Sequence, residues 1–141
     1  MREKLKPRGR VRLVLRDKDG AVKETRLANT VTTAGKNGIA DQILDAPALG
    51  VPTHMAVGEG APAANALGAE LDRNALTSKA RAGAVVTMVG DWAAGDGTGA
   101  ITEAGVFDAG AAGNAWLTVA FAVVNKGPSD VLGVEWTLEI A

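Results

Sequence analysis

The chain has 141 residues, enough for one domain with a substantial hydrophobic core. It contains no cysteine, which excludes disulfide bonds, thiolate metal sites and cysteine nucleophiles, and no segment approaches the roughly 18 apolar residues that a membrane-spanning helix needs. Aromatic residues make up only 4% of the sequence, so we expect a core of aliphatic side chains around a few large anchors such as Trp136.

The charge is unevenly distributed along the chain, although the net charge is only −1. Residues 1–26 carry ten basic and four acidic side chains (+6), whereas residues 27–141 carry five basic and twelve acidic ones (−7). Residues 1–10 have almost no apolar content, so we expect an extended basic arm that docks on an acidic protein surface; a solvated strand face is the alternative. The segment lacks aromatic residues for stacking on bases, so we do not expect nucleic acid as the partner. The basic residues of the arm are Arg2, Lys4, Lys6, Arg8 and Arg10.

The next segment predicts a β-hairpin and then one short helix. Apolar residues alternate with arginines from Val11 onward, and a turn at residues 17–20 leads to a returning strand, so the hairpin covers residues 11–28. Thr33 can cap a helix over residues 34–46, which Pro47 ends. The apolar face of this helix would consist of Ile39, Ile43 and Leu44.

Everything after residue 51 is typical of strands and loops. A hairpin is predicted about residues 82–83, and two later strands show the period of two that marks one buried face. We therefore predict a mainly β fold, an antiparallel β-sandwich or barrel-like (jelly-roll-like) body over residues 51–141, within a single domain of residues 11–141. The predicted inward residues are Leu117, Val119, Phe121 and Val123 in one strand and Leu132, Val134, Trp136, Leu138 and Ile140 in the last.

No residue pattern indicates catalysis, and we expect no cofactor or metal. His54 is the only histidine, and neither Ser78 nor Ser129 lies in a Gly-x-Ser-x-Gly elbow. The turn at residues 17–20 lacks the glycine and glutamate of an EF-hand, and residues 95–99 lack the Gly-Lys-Ser/Thr ending of a phosphate-binding loop. A carboxylate pair that cleaves glycans stays an alternative, drawn from Asp91, Asp96, Glu103 and Asp108.

Three segments resemble a known group of proteins. Residues 52–60, Pro-Thr-His-Met-Ala-Val-Gly-Glu-Gly, resemble the THMAVGxG segment of bacteriophage tail-collar and tail-fibre amino-terminal domains. Residues 67–73 match an L-x-x-E-x-x-R pattern, and residues 101–108 resemble I-x-E-x-G-L-F-D. Residues 29–35 and 125–138 are similar to segments of small phage head and tail proteins, so the resemblance covers most of residues 10–140.

The resemblance implies a non-catalytic virion protein, made in the bacterial host cytoplasm and incorporated into the particle. It implies a homo-oligomer, a trimer or ring, that contacts other virion proteins such as the major capsid or tail proteins. Because no receptor-binding repeat follows Ala141, we expect a capsid decoration or cement protein; a tail, collar or baseplate attachment protein and a carbohydrate-binding module are the alternatives. Arg73 and Glu103 are expected to form an ion pair, and the motif glycines to allow tight turns or close backbone approach. The structural motif residues are Gly58, Gly60, Arg73, Glu103, Gly105 and Trp136.

Overall fold

The computed structural model describes residues 6–45 and 49–140, and within them the chain forms nine strands and one helix. The elements are β1 (Pro7–Arg16), β2 (Val22–Asn29), α1 (Thr33–Ile43), β3 (His54–Gly58), β4 (Glu70–Ala75), β5 (Ser78–Ala82), β6 (Val85–Trp92), β7 (Gly99–Phe107), β8 (Ala115–Lys126) and β9 (Val131–Ile140). The helix has 11 residues, and no described helix has the length and hydropathy that crossing a bilayer requires.

The strands form two antiparallel sheets that pack face to face. The five-stranded sheet has the order β2-β1-β9-β6-β5, and the four-stranded sheet has the order β4-β3-β7-β8. Apolar side chains from the inner faces of both sheets fill the space between them. The predicted fold class, an antiparallel β-sandwich with an N-terminal hairpin and one short helix, is confirmed.

The last strand, β9, lies at the centre of the five-stranded sheet between β1 and β6. Its even-numbered residues from Leu132 to Leu138 are buried, whereas Glu135 and Glu139 are exposed on the outer face. Trp136 is completely buried, level with Val11 on β1 and Met88 on β6. The alternation that predicted this strand therefore matches its burial, apart from Ile140, which is only half-buried.

Strand β8 does not keep a single inward face along its length. Its residues from Ala115 to Val119 are all buried, but farther along Val123 is 39% exposed and Val124 is 1% exposed. The pairing with β7 is irregular here, since Ile101 pairs with Val124 whereas Glu103 pairs with Ala120. The extra residues in β8 rotate the strand, so the prediction that Val123 faces inward is wrong.

The N-terminal strand begins earlier than predicted. Pro7 pairs with Ile140 and Arg8 with Glu139, so β1 includes residues 7–10, which we had assigned to the extended arm. Gly9 is buried, and the carbonyl oxygen of Thr30 occupies the space that a Cβ would need. The boundary at residue 10 is therefore corrected to Lys6, the first described residue, which is exposed and precedes the strand.

The helix packs on the sandwich through glycines rather than through the predicted apolar face. Thr32, not Thr33, is the cap, and its Oγ1 accepts a hydrogen bond from the Gly35 N–H. A Cβ on Gly38 would come within 2.8 Å of the Trp116 ring, so glycine allows the helix to approach closely. Ile39 packs against the core, but Ile43 and Leu44 are 79% and 74% exposed. The helix ends at Ile43, and the predicted residues 46 and 47 lie outside the described part of the chain.

Candidate interaction surfaces

Three of the segments that carry the resemblance, residues 52–60, 67–73 and 101–108, meet in one region of the four-stranded sheet, because β3 lies between β4 and β7. Glu103 on β7 is level with Gly58 on β3 and is completely buried. Its carboxylate oxygens accept hydrogen bonds from the backbone N–H groups of Gly68 (3.2 Å) and Ala69 (3.4 Å). A Cβ on Gly58 would lie 3.0 Å from the Glu103 side chain, and one on Gly60 would lie 2.9 Å from its Oε2. Both glycines therefore leave room for the buried carboxylate.

Arg73 does not pair with Glu103, so that prediction is wrong. The Arg73 guanidinium forms its ion pair with Glu70 and lies 3.7 Å from the centre of the Phe107 ring. Its Nη1 donates to the carbonyl oxygens of Ala109 (3.0 Å) and Ala112 (2.7 Å). Arg73 lies on β4 and Glu103 on β7, with β3 between them, and each side chain binds a different loop. Arg73 therefore holds the loop of residues 108–113, in which Ala112 has a positive φ of 51°.

Gly105 leaves room for an apolar cluster in this region that is separate from the main core and smaller. A Cβ on Gly105 would come within 2.9 Å of the Phe107 ring and 3.3 Å of Leu67. Phe107 and Leu67 pack there with Ala56 and Ala115. The motif residues of the four-stranded sheet thus form one packed unit, in which Glu103 binds backbone N–H groups and Arg73 binds backbone carbonyls and Glu70, whereas Trp136 lies in the core of the other sheet.

Asp108 joins this unit to the neighbouring loops. Its carboxylate accepts hydrogen bonds from the backbone N–H groups of Asn114 (2.8 Å) and Gly50 (2.9 Å). Burial raises the pKa of Asp108, but the hydrogen bonds from Asn114 and Gly50 outweigh it and lower the pKa below its usual 3.8. The stability that the carboxylate contributes is therefore present above pH 3.8 and is lost as the pH falls through the lower, folded-state pKa.

The variant Asp108→Ala tests this linkage. Its melting temperature should lie below that of the wild type at neutral pH, and the difference should shrink as the pH falls below 3.8, because the wild type then loses the same contribution. Thermal unfolding followed by circular dichroism at a series of pH values measures the difference. Asp19→Ala, in the exposed hairpin turn, is the control and should show no such trend. A difference in melting temperature between Asp108→Ala and the wild type that stays constant down to low pH would contradict the stabilising role of the ionised carboxylate.

The outer face of the five-stranded sheet carries an exposed arginine row, formed by Arg8, Arg10, Arg12 and Arg16 on β1. Arg8 and Arg10 belong to the predicted arm, Lys6 precedes them, and Arg2 and Lys4 lie outside the described residues. Sequence reasoning assigned Arg12 and Arg16 to the hairpin and missed their continuity with the arm. The signal was the two-residue spacing of the arginines, which places all four on one face of a strand.

Acidic residues on β9 accompany the arginine row. Glu139 is level with Arg8, and Glu135 is level with Arg12, and both acids are exposed. Among the described residues, no salt bridge joins these acids to the arginine row. The face therefore presents a positive and a negative row side by side, both open to solvent.

Apolar side chains and shallow grooves lie on the same outer face. Leu27 on β2 is 71% exposed, and Val89 on β6 is half-buried. One groove of about 270 Å³ is lined by residues that include Arg12, Val89 and Glu135. Another, of about 490 Å³, lies at the Arg8 and Glu139 end of the face. Leu27 therefore gives this face an exposed apolar side chain close to a shallow, partly apolar groove.

Lys126 is a buried amine that sequence reasoning missed. It is 2% exposed, and its Nζ donates to the carbonyl oxygen of Ala93 at 2.9 Å. Burial lowers its pKa, although the nearby carboxylates, Asp130 first among them, act in the opposite direction. Asp130 binds the Nζ of Lys23 at 2.9 Å, and this bond lowers the pKa of Asp130. A substrate has no access to an amine so enclosed, and the group ties the end of β8 to the loop after β6.

The candidate catalytic groups are not assembled into a site. His54 shares a hydrogen bond between its Nδ1 and the Thr53 Oγ1 (2.8 Å). Asp91 lies at the exposed end of β6, and Asp96 lies in the loop after it, whereas Glu103 is buried in the other sheet. No group of three or more His, Asp or Glu side chains suited to a metal ion occurs within residues 6–45 and 49–140. Comparison with protein-family models, curated proteins and solved structures gives no match.

Proposed function

We propose that the chain is a non-catalytic structural protein of a bacteriophage virion, and within that class a capsid decoration or cement protein. The observation that carries the proposal is the packing of three resembling segments, residues 52–60, 67–73 and 101–108, around Glu103 and Arg73. This packing supports the likeness to phage tail-collar domains, whose role is assembly.

The absence of a free reactive group at the motif residues supports a non-catalytic role. The Glu103 carboxylate is buried and bonded to two backbone N–H groups, and the Arg73 guanidinium is bonded to two carbonyl oxygens and Glu70. A general acid or base must reach the proton it transfers, and neither group is placed to do so. The protein then acts through its surface.

The basic amino-terminal segment is the part that we assign to docking on the particle. Its basic residues are Arg2, Lys4 and Lys6, and Lys6 is exposed directly before β1. An acidic neighbour on the particle would attract this segment over a distance of about 8–10 Å at moderate salt. Docking of this kind weakens as the ionic strength rises.

A tail, collar or baseplate attachment protein is the second candidate. It is favoured by residues 52–60 and 101–108, which resemble tail-collar and tail-fibre domains more than head proteins. The two candidates place the chain at different positions on the same particle, so microscopy separates them. Binding to a glycan array would instead favour a carbohydrate-binding module.

The docking assignment is tested by removing residues 2–6. The deletion stops at Lys6 because Pro7–Arg10 pair with β9 and their loss would damage the sheet. Purified particles that lack the protein are incubated with wild-type or truncated chain in moderate salt and recovered by sedimentation. We expect the truncation to weaken binding to the particle about tenfold, measured from occupancy over a range of chain concentrations, the change typical of losing a few interfacial charge contacts.

Two further variants complete the experiment. Replacement of Arg2, Lys4 and Lys6 by alanine keeps the chain length and should reproduce the loss, whereas Lys18→Ala in the hairpin turn should bind normally. Full occupancy by the truncated chain would rule out docking through this segment.

A further inference from the structure

We propose that the outer face of the five-stranded sheet is the interface of a homodimer, in which two copies stack face to face about a two-fold axis. The axis runs parallel to the strands, midway between β1 and β9. The inference uses the register, charges and apolar residues of this face and does not depend on the proposed virion function.

The axis follows from the charge pattern. A two-fold axis parallel to the strands keeps each residue at its level along the strand and exchanges the two sides of the sheet, so β1 of one copy covers β9 of the other. Arg12 is level with Glu135, and Arg8 is level with Glu139. In the dimer, Arg12 therefore faces Glu135 of the partner subunit and Arg8 faces Glu139 of the partner subunit, and each pair occurs twice.

Other orientations of the axis bring like charges together. An axis perpendicular to the strands that crosses β1 places the arginine row of one copy over the arginine row of the other. An axis parallel to the strands that lies over β1 does the same. Like-charge juxtaposition in a closed interface disfavours association. The placement between β1 and β9 is the one that matches opposite rows on these two strands.

The apolar residues match in the same register. The same axis carries β2 over β6 of the partner subunit. Leu27 is level with Arg12, and Val89 is level with Glu135, so Leu27 lies over Val89 of the partner subunit. The groove of about 270 Å³ beside Val89 is where the Leu27 side chain would insert. At the level of Arg10, Asn29 would lie over Thr87 of the partner subunit, so that two polar side chains face each other.

Face-to-face stacking accounts for the exposure of the arginine row, the two β9 glutamates and Leu27 in the single chain. Two sheets pack about 10 Å apart, a distance that arginine and glutamate side chains can bridge from opposite sides. Covering the face removes the exposed Leu27 side chain from water and gives each arginine of a matched pair a carboxylate partner.

The test uses two charge reversals and their mixture. Sedimentation velocity on the purified wild type should give twice the 14.3 kDa chain mass. Arg12→Glu places two glutamates against each other at each contact, and Glu135→Arg places two arginines there. Each variant alone should therefore have a dimer dissociation constant at least about tenfold higher than that of the wild type. In an equimolar mixture, Glu at position 12 of one copy meets Arg at position 135 of the other, and both contacts become attractive. The mixture should therefore recover a dimer.

The mixture shows whether weaker dimerisation of the variants results from a lost contact between chains or from a folding defect. Each chain in it keeps its own like-charge pair across β1 and β9, so any recovery of the dimer must come from contacts between chains. Lys18→Glu, a reversal in the exposed hairpin turn, should leave the dimer unchanged, and circular dichroism checks that all variants keep the wild-type spectrum. A monomeric wild type, a trimer or ring, or two variants that stay monomeric on mixing would each overturn the proposal.

Discussion

Replacing Trp136 with alanine is expected to lower the free energy of unfolding by about 3–5 kcal/mol, the usual cost of truncating a buried tryptophan. The residue is completely buried at the centre of β9, level with Val11 and Met88, so neighbouring strands cannot collapse into the space it leaves. Urea unfolding followed by fluorescence of the remaining tryptophans and by circular dichroism measures the change.

Two further substitutions show which property of Trp136 matters. Its indole Nε1 has no hydrogen-bond partner among the described residues, so Trp136→Phe should lose only volume and cost roughly half as much. Thr137→Ala, the next residue on the outer face, should cost about 1 kcal/mol or less. A Trp136→Ala variant as stable as Thr137→Ala would contradict the assigned core.

Replacing Arg73 with alanine is expected to cost about 2–4 kcal/mol, since the carbonyl oxygens of Ala109 and Ala112 lose a charged donor and Glu70 loses its ion pair. Lysine keeps the charge but lacks the planar guanidinium that binds the two carbonyls through Nη1 and Glu70 through Nη2, so Arg73→Lys should recover only part of the loss. Chemical denaturation measures the stability of both variants.

Amide hydrogen exchange locates the effect of the Arg73 substitutions. The exchange of Asp108 and Asn114 should accelerate first, because their backbone groups hold the ends of the loop that Arg73 binds. The matched control is Arg81→Ala, whose exposed guanidinium donates only to Gly83 within the described residues, and which should change the stability by no more than about 0.5 kcal/mol. Equal losses for Arg73→Ala and Arg81→Ala would show that Arg73 does not organise the loop.

The parts of the fold that could be predicted are those in which burial alternates along a single strand. In β9, every second side chain faces the core, so Leu132, Val134 and Trp136 were identified from the sequence alone. The hairpin of β5 and β6 was also predicted, because Gly83, with a φ of 59°, supplies the turn.

The errors occur where the pattern depends on a second segment. The change of face in β8 results from its irregular pairing with β7, which no alternation within β8 reveals. Residues 7–10 were assigned to the arm because Gly9 occupies the inward position without an apolar side chain, and the backbone of Thr30 fills that space. The prediction for the helix fails for a similar reason, since the small residues Gly35 and Gly38 lie against Trp116 in place of an apolar face.

The candidate surfaces were predicted in part. The resemblance identified Arg73 and Glu103, but Arg73 pairs with Glu70, and the other partners of both side chains are backbone groups of loops, which carry no signal in residue type. The pairing of the arginine row with Glu135 and Glu139 depends on the register between β1 and β9, which are separated by more than a hundred residues. That register became visible only in the folded chain.

Electron microscopy of purified particles that carry the chain tests the central proposal most directly, which is that it functions as part of a virion. Gold-labelled antibody against the chain, or difference density between particles with and without it, should place the protein at regular positions on the capsid. Density at the tail or baseplate would assign the second candidate instead. Particles that never carry the chain, with all of it remaining in the unsedimented fraction of the lysate, would contradict the account.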